Sequence, residues 1–392
     1  MKLRTKGKIL NISSSIVVKA TRFKHKLNQP NYCYVIDSED MIMKKYESEL
    51  IITISNKIEK SYKGKIVFGI KDLMHISEDD IIYIGNDGKV QTMYRTNSSQ
   101  NYLLVTDRCN SNCIMCSQPP KDRDDIEFLH EINIQVIKLI PKNCIELVIT
   151  GGEPTLLSDK LFELLEIIKK ELPNTEVHML SNGRLFSVNR FAEKLAQINN
   201  TRLMVGIPLY SDYYQVHDYV VQTKDAYYQT IMGIHNLKRY NIRVEIRVVL
   251  HKVTVPRLLK LSQYIYRNLT FVDHVAFMGL EVTGHTKAHL DDLWIDPKEY
   301  MNVLDKSVTY LSKRKINVSI YNTPLCLLPF NLWGFNRKSI SDWKNIYFEE
   351  CNKCTLLNEC GGFFESSTKK YSEYIKSFVF DPRIENENII VI

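Results

Sequence analysis

The chain has 392 residues, of which 44% are apolar and 25% charged. This balance is typical of a folded globular protein and disfavours a disordered chain, and the length allows two or three domains. The longest apolar runs are about six residues, too short for a membrane span. No charged segment leads into an apolar one as in a secretory signal. We therefore expect a cytoplasmic protein with no membrane partner.

Positive charge is concentrated in the first part of the chain. The net charge is +7, yet the residues after position 36 sum to only −1. Such a basic segment can attract nucleic acid, an acidic peptide or an anionic surface, or it can simply be the solvated edge of a small β domain. The bases concerned are Lys2, Arg4, Lys6, Lys8, Lys19, Arg22, Lys24 and Lys26.

The nine cysteines fall into two groups and two single positions. Cys33 and Cys144 stand alone and are expected to be packing residues. A chain of this length can bury a core without disulfides, so tight cysteine groups favour metal binding in a reducing compartment. The two groups are Cys109, Cys113 and Cys116, and Cys326, Cys351, Cys354 and Cys360.

Residues 1–98 have the pattern of a small β-rich domain. Short apolar segments are separated by turn residues, and Asn86-Asp87-Gly88 is a hairpin signal between the last two. The predicted strands are Ile16–Val18, Tyr32–Ile36, Ile51–Ile54, Ile66–Ile70, Asp80–Ile84 and Lys89–Tyr94.

Residues 99–295 alternate strands with helices. Leu161–Leu172, for example, places its leucines and Ile168 on one helical face. Six βα units predict a parallel sheet covered by helices, either an open sheet or a partial (βα)6 TIM-like barrel. The predicted strands are Tyr102–Thr106, Ile145–Thr150, Val177–Leu180, Leu203–Ile207, Ile242–Leu250 and Val275–Leu280. Residues 296–392 form a third, cysteine-rich region.

The fifth strand of this series carries a charged row. Arg243, Glu245 and Arg247 alternate with apolar residues, and the helix-covered face must be apolar, so the charges are predicted to face inward. Arg247 lies nearest the carboxyl end, where parallel α/β folds place their sites. It either binds a ligand or forms a structural ion pair with Glu245.

The cysteines of the first group are spaced C-x3-C-x2-C directly after the first predicted strand. Three thiolates can hold three irons of a 4Fe–4S cluster and leave the fourth iron open for a small ligand. Zinc would require a fourth ligand, and His130 is the nearest imidazole. The spacing therefore favours iron–sulfur over zinc.

Two further motifs follow the next two strands. Thr150-Gly151-Gly152-Glu153-Pro154-Thr155 combines glycines that let a ligand approach the backbone with a carboxylate that can hold an ammonium group. Ser181-Asn182-Gly183 follows the third strand. Each motif alone is equally compatible with an ordinary βα turn.

In this order, and on successive strand ends, the three motifs resemble the radical S-adenosylmethionine (SAM) superfamily. The resemblance covers residues 100–290 and implies a partial barrel, a 4Fe–4S cluster with an open iron, and SAM bound to that iron. It implies cluster ligands at Cys109, Cys113 and Cys116. The SAM contacts it implies are Gly151, Gly152 and Glu153 at the ammonium group, and Ser181 and Asn182 at the ribose or carboxylate.

Two positions depart from the pattern of many members of this superfamily. Met115 stands where an aromatic residue usually packs against the adenine, and is a softer apolar substitute. The usual carboxylate partners after the fourth strand are missing, and Ser211, Asp212 and Arg247 are candidates to replace them.

The second cysteine group has a C-x2-C-x5-C spacing with one more distant cysteine, Cys326. Four thiolates suffice for one closed cluster or one zinc ion. The region resembles the auxiliary-cluster extension, of SPASM or twitch type, of peptide-modifying radical enzymes, although Phe364 stands where a full SPASM domain has a further cysteine. We expect one auxiliary 4Fe–4S cluster, with zinc as the alternative.

Cys113–Pro120 and Phe277–Glu281 are similar to the HxsC-type maturases of the His-Xaa-Ser repeat system. This resemblance implies hydrogen abstraction from a ribosomally made precursor peptide with such repeats, a second radical SAM maturase as partner, and an electron donor such as flavodoxin or ferredoxin. The amino-terminal domain is then expected to bind the precursor.

Alternatives are a radical SAM enzyme that modifies RNA or a small molecule, and a non-catalytic iron–sulfur scaffold. A neutral body argues against nucleic acid.

Overall fold

The computed structural model of the chain describes residues 3–46 and 49–379. The chain forms two compact units. The first contains the chain up to residue 106 together with residues 124–150 and 157–178. The second contains residues 107–123, residues 151–156 and the chain from residue 179 onward. The boundaries predicted at 98/99 and 295/296 stay a prediction.

The amino-terminal part of the first unit is an eight-stranded sheet in the order β1-β8-β7-β3-β4-β5-β6-β2. Alternate residues of β4 and β8 are buried, and Cys33 in β4 is fully buried in the apolar core, as expected. The strands are β1 (Arg4–Lys6), β2 (Lys8–Leu10), β3 (Ile16–Thr21), β4 (Tyr32–Ile36), β5 (Leu50–Thr53), β6 (Lys65–Phe68), β7 (Ile81–Ile84) and β8 (Lys89–Tyr94).

One segment supplies both ends of this sheet. Strand β1 pairs with β8 and strand β2 pairs with β6, and only Gly7 separates β1 from β2. The Gly7 amide donates to the Gly88 carbonyl (3.0 Å), and Gly88 has a positive φ of 82°. The sheet therefore closes on itself through Gly7, and the hairpin predicted at Asn86–Gly88 joins β7 to β8.

The amino-terminal bases that the structure describes belong to this closed sheet and its loops. Arg4, Lys6 and Lys8 lie within β1 and β2. Elsewhere Arg22 pairs with Asp37, and Lys26 with Glu78 and Asp79. The interpretation as the edge of a β domain fits these positions better than a free arm. Lys2 lies outside the described residues.

The second sheet has the order β16-β15-β14-β13-β12-β11-β10-β9. The pairs β9–β10, β12–β13, β13–β14, β14–β15 and β15–β16 are parallel. The strands are β9 (Asn101–Leu104), β10 (Glu146–Thr150), β11 (Glu176–Leu180), β12 (Leu203–Pro208), β13 (Arg243–Leu250), β14 (His274–Gly279), β15 (Val318–Tyr321) and β16 (Asn336–Arg337).

Helices alternate with these strands. The apolar face predicted around Leu161 is buried in α2. The helices are α1 (Ile126–Leu139), α2 (Asp159–Glu171), α3 (Asn189–Gln197), α4 (Tyr214–Val221), α5 (Ala226–Arg239), α6 (Leu258–Asn268), α7 (Leu290–Leu293) and α8 (Pro297–Ser312). The predicted partial barrel and the predicted β-rich sheet are both confirmed, and β15 and β16 extend the barrel beyond the six predicted strands.

The remaining described residues of the second unit, up to residue 379, form short turns and a two-stranded sheet of β17 (Asn345–Ile346) and β18 (Phe363–Phe364). No helix in the described ranges is long and apolar enough to cross a membrane.

Candidate functional site

The first cysteine group lies on an irregular loop that follows β9, which we call the cysteine loop (residues 107–118). Its backbone is held by the end of α4. The amides of Asn112 and Ile114 donate to the carbonyls of Val221 (3.1 Å) and Val220 (3.0 Å). The loop therefore has a fixed course although it contains no helix or strand.

The three thiols of the cysteine loop lie close enough to interact electrostatically. Burial raises the pKa of Cys109 to about 11, with a further contribution from Glu153. Burial, followed by the neighbouring Cys116 and Cys109, raises the pKa of Cys113 to about 12, and burial also raises the pKa of Cys116. Such thiols lose their protons when they bind a metal cation. This donor set therefore fits a thiolate-bound cluster.

The carboxylate of Glu153 is buried and surrounded by donors. Its Oε1 accepts hydrogen bonds from the hydroxyls of Ser181 and Thr155 (both 2.7 Å) and from the Thr155 amide (3.1 Å), and its Oε2 accepts from the Asn182 amide (2.7 Å). Burial raises the pKa of Glu153, and these hydrogen bonds oppose that effect. Glu153 thus links the second and third motifs directly.

Gly152 is required by the protein's own backbone. A Cβ atom there would lie 2.0 Å from the Arg108 carbonyl oxygen, and the next amide, that of Glu153, donates to the same oxygen (2.8 Å). The sequence indicated that a glycine here lets a ligand approach. In the structure the residue that approaches Gly152 is Arg108 of the cysteine loop.

The third motif also contacts the cysteine loop. The side-chain amide of Asn182 donates to Oδ1 of Asn110 (2.6 Å). Arg184 was missed in the sequence, yet its guanidinium donates to the Asn110 carbonyl and to the Ser111 hydroxyl. The signal was weak because a single arginine after Ser-Asn-Gly has no distinctive spacing. The structure thus brings the three predicted motifs together.

Met115 and Ser211, both predicted to contact SAM, are buried. Met115 is 7% exposed and packs with Tyr210 and Leu293 in one apolar cluster that also contacts Cys113. Ser211 is fully buried, and its hydroxyl accepts a hydrogen bond from the Tyr213 amide (3.1 Å). Met115 therefore packs the cysteine loop against this apolar cluster, whereas the Ser211 hydroxyl accepts a hydrogen bond within a backbone turn.

Arg247 lies in a polar network across three strands. Its guanidinium donates to Glu245 (2.7 Å), the other oxygen of Glu245 contacts His274 Nδ1 (2.6 Å), and His274 Nε2 contacts the Ser319 hydroxyl (2.9 Å). The ion pair of Arg247 with Glu245 is present, and ligand binding by Arg247 stays a prediction.

The second cysteine group lines one pocket. Its four cysteines, Cys326, Cys351, Cys354 and Cys360, line it together with the apolar Leu325, Leu356, Leu357, Phe363 and Phe378. Burial raises the pKa of Cys326 to about 11 and also raises that of Cys351, and the neighbouring cysteines add to both shifts. The chemistry of this donor set fits an iron–sulfur cluster, which requires thiolates and a largely apolar surrounding.

Within the described residues, no three His, Cys, Asp or Glu side chains are arranged to hold a metal ion. A zinc ion requires its sulfurs to converge on one point at about 2.3 Å. A 4Fe–4S cluster instead binds each thiolate at a different iron. Whether the second cysteine group holds an iron–sulfur cluster or a zinc ion therefore stays a prediction.

Comparison with known proteins identifies the middle of the chain. Residues 103–264 match the family model described as the Radical SAM superfamily. These residues are therefore similar to a radical SAM domain. The match includes the cysteine loop, Gly151–Glu153 and Ser181–Asn182, and a radical SAM domain implies a 4Fe–4S cluster and SAM.

Individual relatives resemble the radical SAM domain and its surroundings. An uncharacterized protein of Methanocaldococcus jannaschii is 28% identical over 167 residues, which cover 42% of this chain and 57% of that protein. The Fe-coproporphyrin III synthase of Methanosarcina barkeri is 25% identical over 190 residues, which cover 46% of this chain and 45% of the synthase. The chain thus spans about half the length of these curated relatives.

Among solved structures, Streptococcus suis SuiB bound to S-adenosylmethionine is similar over 56% of this chain and 50% of SuiB. The TM-score of that comparison is 0.46, and the sequence identity is 16%.

Proposed function

We propose that this protein is a radical SAM enzyme that abstracts a hydrogen atom from a ribosomally made precursor peptide with His-Xaa-Ser repeats. The observation that supports the radical chemistry is the hydrogen-bonded connection between three loops at successive strand ends. Glu153, Asn182 and Arg184 join the glycine motif and the Ser-Asn-Gly motif to the cysteine loop.

Cys109, Cys113 and Cys116 would hold the cluster in this proposal, leaving its fourth iron for SAM. When bound and reduced, the cluster would supply the electron for cleavage of SAM and thereby for abstraction of the substrate hydrogen. The residues of this chain bind and orient the cofactor. Met115 and Tyr210 keep one side of the site apolar, and a dry, fixed site is what such a reaction requires.

Glu153 organises this site rather than binding SAM directly in our proposal. Both of its carboxylate oxygens already accept hydrogen bonds from Thr155, Ser181 and Asn182. A carboxylate so satisfied fixes the loop that carries Gly151 and Gly152. The backbone carbonyls of that loop are then the acceptors we assign to the SAM ammonium group.

The cavity lined by Cys326, Cys351, Cys354 and Cys360 would hold a second 4Fe–4S cluster. Its four thiols would leave no iron open, so this cluster would transfer electrons and not bind SAM. An auxiliary cluster of this kind, together with the resemblance of Cys113–Pro120 and Phe277–Glu281 to His-Xaa-Ser maturases, supports a peptide substrate.

A nucleic-acid substrate is less well supported. Lys6, Arg22 and Lys26 already pair with carboxylates of the same sheet, which reduces the positive charge available to phosphates. Precursor binding by the amino-terminal domain, through its remaining bases, stays part of the proposal. So do the second maturase and a flavodoxin or ferredoxin as electron donor.

The first experiment measures iron and 5′-deoxyadenosine after anaerobic reconstitution. We expect about eight irons in the wild type and about four in the Cys109/Cys113/Cys116→Ala variant, with dithionite-dependent 5′-deoxyadenosine only in the wild type. Four irons together with bound zinc in the wild type would indicate that the second cysteine group holds a structural zinc ion. If the fully loaded protein forms no 5′-deoxyadenosine, the result would favour the alternative of a non-catalytic iron–sulfur scaffold.

The second experiment tests the substrate. A synthetic peptide with several His-Xaa-Ser repeats is incubated with the loaded enzyme, SAM and dithionite, and a matched peptide carries Ala in place of each His and Ser. We expect a mass change in the first peptide only. Formation of 5′-deoxyadenosine at the same rate with and without the first peptide, with no change in that peptide's mass and no deuterium uptake in heavy water, would retain the radical enzyme and reject this substrate.

A further inference from the structure

The cysteine loop is also held from the far side of the barrel, by a turn that follows β14. The turn consists of Gly284, His285 and Thr286, and we call it the 284–286 turn. Its residues contact the cysteine loop from about 170 positions further along the chain. The C-x3-C-x2-C spacing does not require such a contact, so the contact points to a separate role for this turn.

Two consecutive carbonyls of the cysteine loop accept hydrogen bonds from this turn. The His285 amide donates to the Cys116 carbonyl (2.9 Å), and the Thr286 hydroxyl donates to the Met115 carbonyl (3.2 Å). Thr286 is fully buried. A buried hydroxyl with one defined acceptor fixes the position of that acceptor, because leaving either group unpaired is costly.

Two further contacts complete the attachment. His285 Nε2 lies 2.9 Å from the side-chain oxygen of Asn112. Gly284 has a φ of 56°, and a Cβ atom on it would lie 2.2 Å from the Cys116 carbonyl oxygen and 2.7 Å from the Ser117 carbonyl oxygen. Both its conformation and the lack of space require glycine.

The 284–286 turn is therefore one of several supports of the cysteine loop. The end of α4 holds Asn112 and Ile114, and Arg184 holds Asn110 and Ser111. Neither of these contacts reaches the last cysteine. Of these supports only the 284–286 turn binds the backbone at Met115 and Cys116, the end of the loop where the third thiol must meet the same cluster as the first two.

We infer that Gly284, His285 and Thr286 are positioning residues of the SAM-binding cluster, which set the place of Cys116 and Met115 relative to Cys109 and Cys113. This inference rests on the proposed assignment of the three cysteines as cluster ligands. It assigns the three residues no contact with SAM or substrate. They act through the backbone of the cysteine loop.

The first test compares Gly284→Ala with Gly334→Ala in the full-length protein. Gly334 is a matched control because nothing lies within 4 Å of the Cβ that it would gain. In the protein before iron loading, hydrogen–deuterium exchange should accelerate at least ten-fold at residues 113–117 in Gly284→Ala. Gly334→Ala should exchange there as the wild type does. Equal exchange in all three proteins would overturn the inference.

The second test uses the Thr286 hydroxyl, in case Gly284→Ala does not fold. Thr286→Val keeps the shape and removes the donor, whereas Thr286→Ser keeps the donor. After anaerobic reconstitution we expect Thr286→Val to lose the change in electron paramagnetic resonance that SAM causes in the reduced cluster, or to need about five-fold more SAM for it, and Thr286→Ser to restore it.

The two tests separate failure of this inference from failure of the proposed function. A wild-type protein that forms no cluster at Cys109, Cys113 and Cys116 contradicts both, because no cluster then remains to be positioned. A wild type with a SAM-responsive cluster, unaltered in Gly284→Ala and Thr286→Val, contradicts only the positioning role.

Discussion

The Nε and Nη2 atoms of Arg257 each lie 2.7 Å from a different oxygen of the Asp212 carboxylate. This is a two-point ion pair between the loop after β12 and the start of α6. Asp212 was a candidate for a SAM contact in the sequence, but both of its oxygens are engaged by Arg257. The pair therefore connects two neighbouring loops of the barrel rim, and its geometry favours Arg over Lys.

Replacing Arg257 should lower stability and leave SAM affinity almost unchanged. In Arg257→Gln we expect a loss of about 1–2 kcal/mol, because the pair is partly buried and makes two charge-assisted bonds, which lowers the melting temperature by about 2–4 °C. Lys6→Gln is the control, since its pair with Asp87 is exposed (3.5 Å) and should contribute about 0.5 kcal/mol or less. A large loss of SAM affinity in Arg257→Gln without a change in melting temperature would contradict the structural role.

Gly152→Ala should displace the cysteine loop, because the added Cβ would lie 2.0 Å from the Arg108 carbonyl oxygen. We expect the variant to lose about four irons after reconstitution and to melt at a lower temperature. Gly361→Ala is the matched control, since its nearest contact is 3.7 Å. Full iron content in Gly152→Ala would show that the two loops can separate without loss of the cluster.

The role of Glu153 can be tested through a neighbour. Thr155→Val removes one hydrogen bond to the carboxylate (2.7 Å) but leaves the carboxylate itself in place. If Glu153 orders the loop, Thr155→Val and Glu153→Gln should both lower the melting temperature and weaken SAM binding, with the larger effect in Glu153→Gln because an amide cannot accept from all four donors. Binding measured by equilibrium dialysis that is unaltered in Thr155→Val would favour Glu153 as a direct ligand.

Stability should fall as the pH decreases, partly because of His251. This side chain is fully buried, and burial lowers its pKa to about 3. The unfolded chain, with a pKa near 6.5, binds the proton first, so the stabilising effect is complete above about pH 7 and is lost as the pH falls from 6.5 towards 3. At pH 5.5 the loss is about 1.4 kcal/mol.

His251→Asn should remove that contribution to the pH dependence. The Asn oxygen can replace Nδ1 as the acceptor for the Val253 amide (3.3 Å), and Asn does not titrate. Denaturation at pH 7.5 and 5.5 should show a smaller difference in the variant than in the wild type. Burial also lowers the pKa of His217 to about 3. His217 is present in both proteins, so its contribution to the pH dependence cancels in the comparison. An identical difference would mean that His251 is not protonated on unfolding in this range.

The sequence was informative where a segment carries its own signal. β8 was predicted with its observed bounds, and the strands from β9 to β14 within a few residues, since apolar runs between turns are local patterns. β1 and β2 were missed because three of their six residues are basic and their strand pairing depends on partners more than 50 positions away in the chain.

In the candidate site, too, local patterns could be predicted and contacts between distant residues could not. The three motifs could be found because each has a local spacing, and the match of residues 103–264 to the radical SAM family model supports the resemblance that they carry. The contacts between the motifs could not be predicted from the sequence. Asn112 and His285 are 173 positions apart, and no rule of spacing connects them. The pairing of Arg247 with Glu245 was among the alternatives because residues two apart on a strand share a face.

Neither sheet offers a long unpaired edge in the part of the chain that the structure describes. The first closes through Gly7, and the second ends on one side in the two-residue strand β16 and on the other in β9, whose Leu104 carbonyl accepts from Asn133 of α1 (2.9 Å). Open strand edges are where separate molecules join into aggregates. The closure through Gly7 thus keeps both end strands of the first sheet from such joining.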